Sequence, residues 1–592
     1  MTYRAPVDDI AFTLQHAAGF GAAVEDGLYG ELAPDVVAAV LDEAGRFASE
    51  VLAPLNRVGD RVGASLRDGA VVTPPGWKEA YREWVEAGWN GLAAPERFGG
   101  QGLPHAVNAA CIEIWNGANM AFGLAPFLTM GAAEALAAHG SDALKATYLP
   151  NLVTGAWTGS MEMTEPQAGS DVGALRTRAE RAEDGSYRIT GQKIFITYGE
   201  HDLTDNIIHM VLARLPDAPP GTRGVSLFLV PKFPVQPDGS LGARNDVRAH
   251  SIEHKLGIHG SPTCTMVYGD HGGAVGYLVG EENAGMACMF TMMNQARLAV
   301  GLQGVGIAER ATQAALAYAR QRQQGRAVGM GASSGMSPII AHPDVRRMLM
   351  TMRSLTRAAR AICYATAVAL DRAQRSPDQS AARDAAARAM LLTPLAKAFS
   401  TDVGTEVASL GIQVHGGMGF IEETGAAQHY RDARIAQIYE GTNGIQAVDL
   451  VTRKLPLEDG TVVRRYIEEL RGTARTARES NDPALGRTGE RLEAAVDSLA
   501  RGTDWLLGEL GRAPANALAG ATPYLRLFGT AAGGCALAAQ ALGSSRDGGA
   551  NGAADRTRLA RFFAENIAVQ AGGLEQSVIE GGESVAALSL SE

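Results

Sequence analysis

Cysteine is scarce: five in 592 residues (Cys111, Cys264, Cys288, Cys363, Cys535), with no Cys-x-x-Cys pair. That spacing excludes a disulfide framework or a zinc ribbon and suits a reducing cytoplasm, the expected location. The twelve histidines are scattered too. His254 and His259 are the nearest pair of interest, and nothing beside them completes a ligand set, so no metal site is expected. No run of about 18 uninterrupted apolar residues occurs, so no membrane span is expected. The stretch from Met1 to Ile10 holds Asp8 and Asp9 and no apolar core, unlike a secretory or transit leader. Positive charge is also short. Lys and Arg number 53 against 64 Asp and Glu, a net charge of −11, which argues against a protein built to bind nucleic acid.

What is present is ordinary globular material, 46% hydrophobic and 20% charged. The chain is too long for one hydrophobic core. Up to residue 155 the pattern is mostly helical, as in Asp35 to Phe47, with a Gly- and Pro-rich loop from Ala94 to Pro104. From 156 to 283 it turns to strands. An Asp-Gly turn within Glu183–Thr190 reads as a hairpin, and 207–213, 224–230 and 264–268 read as short strands. From 284 to 454 helices return, notably 308–322 and 345–372. From 455 to 592 the pattern is again helical, with 491–501 and 559–568 as helices and 481–483 and 548–552 as loops. The order helices, strands, helices predicts an α+β multidomain fold: a helical N-terminal domain, a central β-barrel, a C-terminal helical bundle and a helical extension. Gly304-Val-Gly306 is not read as a dinucleotide motif, because a Met-rich helical run precedes it rather than a strand.

Two long stretches carry the functional signal. The first is Met161-Glu-Met-Thr-Glu-Pro-Gln-Ala-Gly-Ser-Asp-Val172 with Gly191-Gln-Lys-Ile-Phe-Ile-Thr197. The second is Gln413-Val-His-Gly-Gly-Met-Gly-Phe420 with Tyr430-Arg-Asp-Ala-Arg-Ile-Ala-Gln-Ile-Tyr-Glu-Gly-Thr-Asn-Gly-Ile-Gln446. On these motifs, in this order, the chain resembles the acyl-CoA dehydrogenase family over roughly residues 35–455. The family fold is a helical domain, a β-barrel and a four-helix bundle, the same order as above.

The resemblance implies FAD as cofactor and an acyl-CoA thioester as substrate. The α-proton of a thioester is weakly acidic and needs a positioned base. The enolate charge needs preorganised donors, and the β-hydride needs an acceptor that no side chain supplies. Glu440 matches the family's base, with the flavin N5 as hydride acceptor and the backbone N–H at 440 as one oxyanion donor. Read from charge alone, Glu440 would merely pair with Arg431 or Arg434. Met161, Met163, Thr164, Phe195 and Thr197 match positions along the flavin ring, and Thr442 matches a flavin-contacting threonine. Gln413, Gly416 and Gly417 match a loop that holds the FAD pyrophosphate of a neighbouring subunit, and Arg322 an arginine that touches FAD. The family often follows that arginine with an aromatic residue and Gly, where this chain has Arg322-Gln-Gln-Gly325. Ser170, Gly441 and Arg297 match substrate positions, and Asn294 stands where the family often has Asp.

The resemblance further implies a homodimer or homotetramer, and an electron-transferring flavoprotein as electron acceptor. The segments at 230–233, 238–246, 251–259 and 299–307, with the C-terminal extension, are similar to a long bacterial branch of the family. Its members act on short or medium acyl-CoAs, a sulfur-containing one among them. The rival readings are an acyl-CoA oxidase, which passes electrons to oxygen, and a flavin-containing DNA-binding relative.

Overall fold

The computed structural model describes residues 3–329, 335–546 and 552–587, without the side chains of residues 294, 545 and 546. Part of the loop expected at 548–552 therefore lies outside the described residues, as does the Asn294 side chain.

The N-terminal part is helical, and its central element is the long helix His105–His139. This helix bends at Asn119, where φ is −157°. The Asn119 side chain accepts a hydrogen bond from the Phe122 N–H at 3.1 Å, capping the second half where the backbone ladder breaks. Among the described residues it is the one helix long and apolar enough to cross a membrane, and 83% of its most apolar window is buried within the fold. The next helix, Asp142–Thr154, starts on a Ser141 cap and stops at Gly155, whose φ is +82°. One element departs from the helical expectation: a hairpin of strands Ser65–Arg67 and Ala70–Val72. Asp68 (φ +50°) and Gly69 (φ +78°) form its turn, the left-handed pair that a two-residue hairpin requires.

The central strands close on themselves. Strand Tyr187–Thr197 pairs through its first half with Arg178–Arg181 and with Ala274–Val279. The ring is completed through Val225–Pro231 and Ile207–Arg214. Its second half pairs with Thr263–Tyr268, which pairs in turn with Val247–Ile252. Strand Thr158–Glu162 runs parallel to Ile207–Arg214, so the first motif enters the sheet beside the barrel wall. Two side-chain sets result: one fills the barrel, and one packs the barrel onto the helices.

Three long helices follow, Gly285–Gln321, Pro343–Arg375 and Gln379–His415. A fourth, broken element completes the bundle: Ala426–Ala433, Arg434–Gln437, Asn443–Asp449 and Leu450–Lys454. Gly304 and Gly306 are packing residues here. A Cβ on Gly304 would collide with the Ser400 carbonyl, and one on Gly306 would lie 2.7 Å from the Gly117 nitrogen. Glycine lets three helix backbones approach, with no role in phosphate binding.

The extension folds onto this bundle through helices Thr461–Glu479, Thr488–Arg512, Ala521–Arg546, Ala553–Asn566 and Ala571–Glu580. The helix expected at 559–568 ends at Asn566, and Ala568 opens a 3₁₀ turn. Asp555 receives Arg353 at 2.6 Å and Arg357 at 3.2 Å. Gly529 faces the Phe399 ring with no room for a Cβ, and a Cβ on Gly533 would lie 2.7 Å from Ala358 Cβ. Gly529→Leu should therefore overpack this seam by about 1–3 kcal/mol. The expected readout is faster proteolysis of residues 461–587 than in wild type; unchanged proteolysis would show that the seam does not hold the extension.

Candidate active site

Glu440 lies on the turn Tyr439–Thr442, between the 3₁₀ segment Arg434–Gln437 and helix Asn443–Asp449. Thr442 caps that helix, its hydroxyl accepting from the Ile445 N–H at 3.3 Å. Glu440 has φ +56° and Gly441 φ +85°. Glycine adopts this conformation freely, whereas a glutamate pays about 1–2 kcal/mol for it. Such a residue persists only where its surroundings hold it. Gln446 Nε2 donates to the carbonyls of Glu440 (3.4 Å) and Gly441 (3.3 Å). Lys397 Nζ, from the facing helix, donates to the Gly441 carbonyl at 2.8 Å.

Glu440 as a whole is partly exposed. Its Oε2 is enclosed and has no hydrogen-bond partner among the described residues. Burial pushes the carboxyl up to about 7, against the pull of Arg297 and Lys397. Among the described residues no ion pair joins Glu440 to Arg431 or Arg434. Arg431 is engaged with Asp60 at 2.7 Å and Glu422 at 2.9 Å, and Arg434 Nη1 is buried without a partner. The Glu440 backbone N–H likewise meets no acceptor among the described residues. Arg297 sits 3.8 Å from Asp449, with its Nε unpaired. A basic carboxyl, a free amide and a half-satisfied guanidinium thus meet at one place. The arrangement suits removal of a proton from a bound acid and stabilisation of the resulting charge.

The barrel supplies a second surface. Met161 is buried in strand Thr158–Glu162, while Met163 and Thr164 are partly exposed just beyond it. The Thr164 carbonyl accepts from the Ile194 N–H at 2.9 Å, which sets the first motif beside Gly191–Thr197. Strand register slips between Lys193 and Ile196. At this bulge Phe195 takes φ +60°, and its side chain is 60% exposed. The bulge thus turns an aromatic side chain out of the barrel towards solvent rather than into the core. Thr197, two residues on, is partly exposed.

Glu165 and Lys193 lie within the two parts of the first motif and have no role assigned by the resemblance. The structure makes them the clamp of this loop. Glu165 accepts from Lys193 Nζ at 2.8 Å, Thr177 Oγ1 at 2.6 Å and the Arg176 N–H at 2.6 Å. Lys193 also donates to the Met163 carbonyl at 3.1 Å. Burial opposes the charge on Glu165, but Lys193 and the hydrogen bonds outweigh it and hold the carboxyl down at about 2. The signal in sequence was the Thr-Glu-Pro of the first motif, but which lysine would meet it was not legible.

The remaining expected residues lie apart from the Glu440 turn. Gln413 is exposed at the end of helix Gln379–His415, and Gly416 follows with φ +59°. Cβ atoms on Gly416 and Gly417 would meet nothing within 4 Å. Phe420 beside them is 86% exposed. Arg322 caps the C-terminus of helix Gly285–Gln321 and donates weakly to Gln324 at 3.5 Å. Ser170 is exposed on the loop after Glu165. No hydrogen bond or ion pair among the described residues joins these residues to the Glu440 turn. The exposed Phe195, the open Gly416–Gly417 backbone and the unpaired groups on Glu440 and Arg297 fit a large planar, phosphorylated cofactor together with an anionic substrate.

Four family models match the chain in order. Acyl-CoA dehydrogenase, N-terminal domain matches residues 35–156; the middle domain, 160–271; and the C-terminal domain, 283–455. A model described as acetyl-CoA dehydrogenase C-terminal like matches 466–589. The chain is 48% identical over 594 aligned residues to a 3-methylmercaptopropionyl-CoA dehydrogenase of Ruegeria pomeroyi, covering 100% of both. Butyryl-CoA dehydrogenase of Megasphaera elsdenii is similar in structure at TM-score 0.58 and 27% identity, over 71% of this chain and 98% of that one. An acyl-CoA dehydrogenase of Bacillus anthracis, complexed with FAD, shares the fold at TM-score 0.73 and 22% identity, over 94% of this chain and 90% of that one. With its domains matched in order and a relative matched end to end, the chain belongs to the acyl-CoA dehydrogenase family, flavoprotein oxidoreductases that act on acyl-CoA.

Proposed function

We propose that the chain desaturates the Cα–Cβ bond of a short acyl-CoA, with Glu440 as the base and FAD as the cofactor. The observation that carries this reading is the enclosed, unpartnered carboxyl of Glu440 on a left-handed turn beside Arg297. When bound, the flavin supplies the acceptor for the β-hydride. Glu440 takes the α-proton onto its carboxylate. Its own N–H donates to the thioester carbonyl as charge develops there. Met161, Met163, Thr164, Phe195, Thr197 and Thr442 are the residues that would hold the flavin ring. Gln413, Gly416, Gly417 and Arg322 would hold the FAD pyrophosphate and adenosine of a neighbouring subunit, which makes a homodimer or homotetramer the working assembly. Arg297, Gly441 and Ser170 would meet the CoA ester. The electron acceptor is an electron-transferring flavoprotein.

For the acyl group, the end-to-end relative supports 3-methylmercaptopropionyl-CoA. A panel of short and medium acyl-CoAs, with flavin bleaching in the absence of oxygen as readout, tests this. The methylmercaptopropionyl ester should give the highest kcat/KM, and a straight-chain ester tenfold better would overturn the assignment. Hydrogen peroxide formed at the turnover rate without the protein acceptor would point instead to an oxidase.

The pH dependence follows from Glu440. Only the ionised carboxylate accepts a proton, and its pKa is raised to about 7 by burial. Flavin reduction at limiting substrate should therefore rise with pH and reach half its maximum near 7. A rate already at plateau at pH 5 would show that the base ionises like an ordinary carboxylate.

A further inference from the structure

We propose that Lys397 is a positioning residue for Glu440: its ammonium pins the left-handed turn and supplies the positive charge that keeps the Glu440 carboxylate ready to accept a proton. The inference rests on the reading of Glu440 as base.

Lys397 projects from helix Gln379–His415 and is wholly buried. Its Nζ donates to the Gly441 carbonyl at 2.8 Å and to Asn443 Oδ1 at 2.9 Å. Both acceptors belong to the chain immediately after Glu440. Asn443 is itself held, its Nδ2 donating to Asp402 Oδ1 at 2.7 Å and to the Ala398 carbonyl at 3.2 Å. Gln437, just before the turn, donates to the same Asp402 oxygen at 2.6 Å. Residues of one helix, Lys397, Ala398 and Asp402, therefore grip the turn from both sides. The geometry accounts for how a glutamate is kept at φ +56°.

The charge needs a separate reason. No carboxylate among the described residues lies within ion-pair distance of Lys397, and a neutral side chain could have filled the same space at lower desolvation cost. Burial pushes the lysine down to about 7, with Glu440 and Asp402 pulling it up and Arg297 opposing them. The charged groups that face Glu440 are Arg297, from helix Gly285–Gln321, and Lys397. Arg297 is shared with Asp449 and also feels Arg453. Among the described residues Lys397 makes no ion pair, and Glu440 acts on it more strongly than Asp402 does. Each of the two charges acts on the other, the lysine holding the carboxyl down and the carboxylate holding the lysine up, so removing the lysine charge should raise the pKa of Glu440.

The test is the pH profile of anaerobic flavin reduction by acyl-CoA in the FAD holoenzyme. Four proteins are compared: wild type, Lys397→Met, Lys397→Arg and Asn443→Ala. Lys397→Met should move the half-maximal pH upward by roughly one unit, the lower end of what a neighbouring opposite charge does to a carboxylate. Lys397→Arg keeps the charge and should sit at or below wild type. Asn443→Ala loosens the grip but keeps the charge, so it should lower the rate at every pH without moving the midpoint. A Lys397→Met midpoint at the wild-type value, or a rate loss uniform in pH, overturns the electrostatic role. If Lys397→Met does not retain flavin, Lys397→Arg decides: a midpoint displaced upward by about one unit despite the retained charge overturns the proposal. Glu440→Gln, run alongside, separates the two failures. Wild-type reduction by that variant sinks the base assignment itself, whereas an inactive Glu440→Gln with an unmoved Lys397→Met midpoint sinks only Lys397.

Discussion

Glu440→Gln should keep bound flavin and bind acyl-CoA, yet reduce the flavin about 10²–10⁴-fold more slowly, the usual worth of a positioned general base. The amide is nearly isosteric with the carboxyl, so the turn held by Gln446 and Lys397 has no cause to move. Among the described residues Oε2 has no hydrogen-bond partner to lose. The variant therefore removes proton affinity and little else. Its cost should appear in the rate of reduction and not in substrate affinity, since ground-state contacts are unchanged. Rapid mixing without oxygen separates the two: the spectral shift on binding should persist, and bleaching should all but stop. Reduction within tenfold of wild type would mean that another group takes the proton.

The largest stability effect is expected at Arg360, which lies among three of the long helices. It is 0% exposed, and donates to Glu113 at 2.6 Å and to Glu309 at 2.8 Å. Tyr364 donates to the other Glu113 oxygen at 2.6 Å. These partners come from helices His105–His139, Gly285–Gln321 and Pro343–Arg375. Breaking such a pair from one side leaves a buried, uncompensated carboxylate. Arg360→Leu should therefore cost about 3–5 kcal/mol in denaturant unfolding. The double variant Arg360→Leu/Glu113→Leu should recover a large part of that loss, because both desolvation penalties disappear together. A double variant no more stable than the single one would show that the network does more than cancel its own charges. Helix Gly285–Gln321 also carries Arg297, so the single variant should weaken the site indirectly.

The long motifs were legible because each runs over many residues, so chance agreement of the set is small; the structure sets Met161–Thr164 beside Gly191–Thr197, while Gln413–Phe420 lies apart from the Glu440 turn. The strands Ile207–Arg214 and Val225–Pro231 were legible as short, nearly continuous apolar runs, and both are buried along almost their whole length. The hairpin at Ser65–Val72 was missed although Asp68-Gly69 is its signal, because strands of three residues are too short to show alternation inside a helical stretch. Lys397 carried no signal at all. Its role depends on burial and on a turn some forty residues away, and neither is a local property of the sequence. Glu165 and Lys193 were visible as letters of a motif but not as a pair, since strand register brings them together. Phe195 reaches the surface through a bulge that a simple alternation cannot anticipate. Cβ atoms on Gly416 and Gly417 would meet nothing within 4 Å, so the contacts within this chain give these two glycines no role.

The most direct test follows the α-proton alone. A CoA ester with no hydrogen on Cβ, such as 3,3-dimethylbutanoyl-CoA, can lose its α-proton but cannot pass on a hydride. Incubated with the holoenzyme in deuterated water, its α-position should take up deuterium, read by NMR, with wild type and at only the buffer rate with Glu440→Gln. Equal exchange by the two proteins would contradict the claim that the carboxylate of residue 440 is the base.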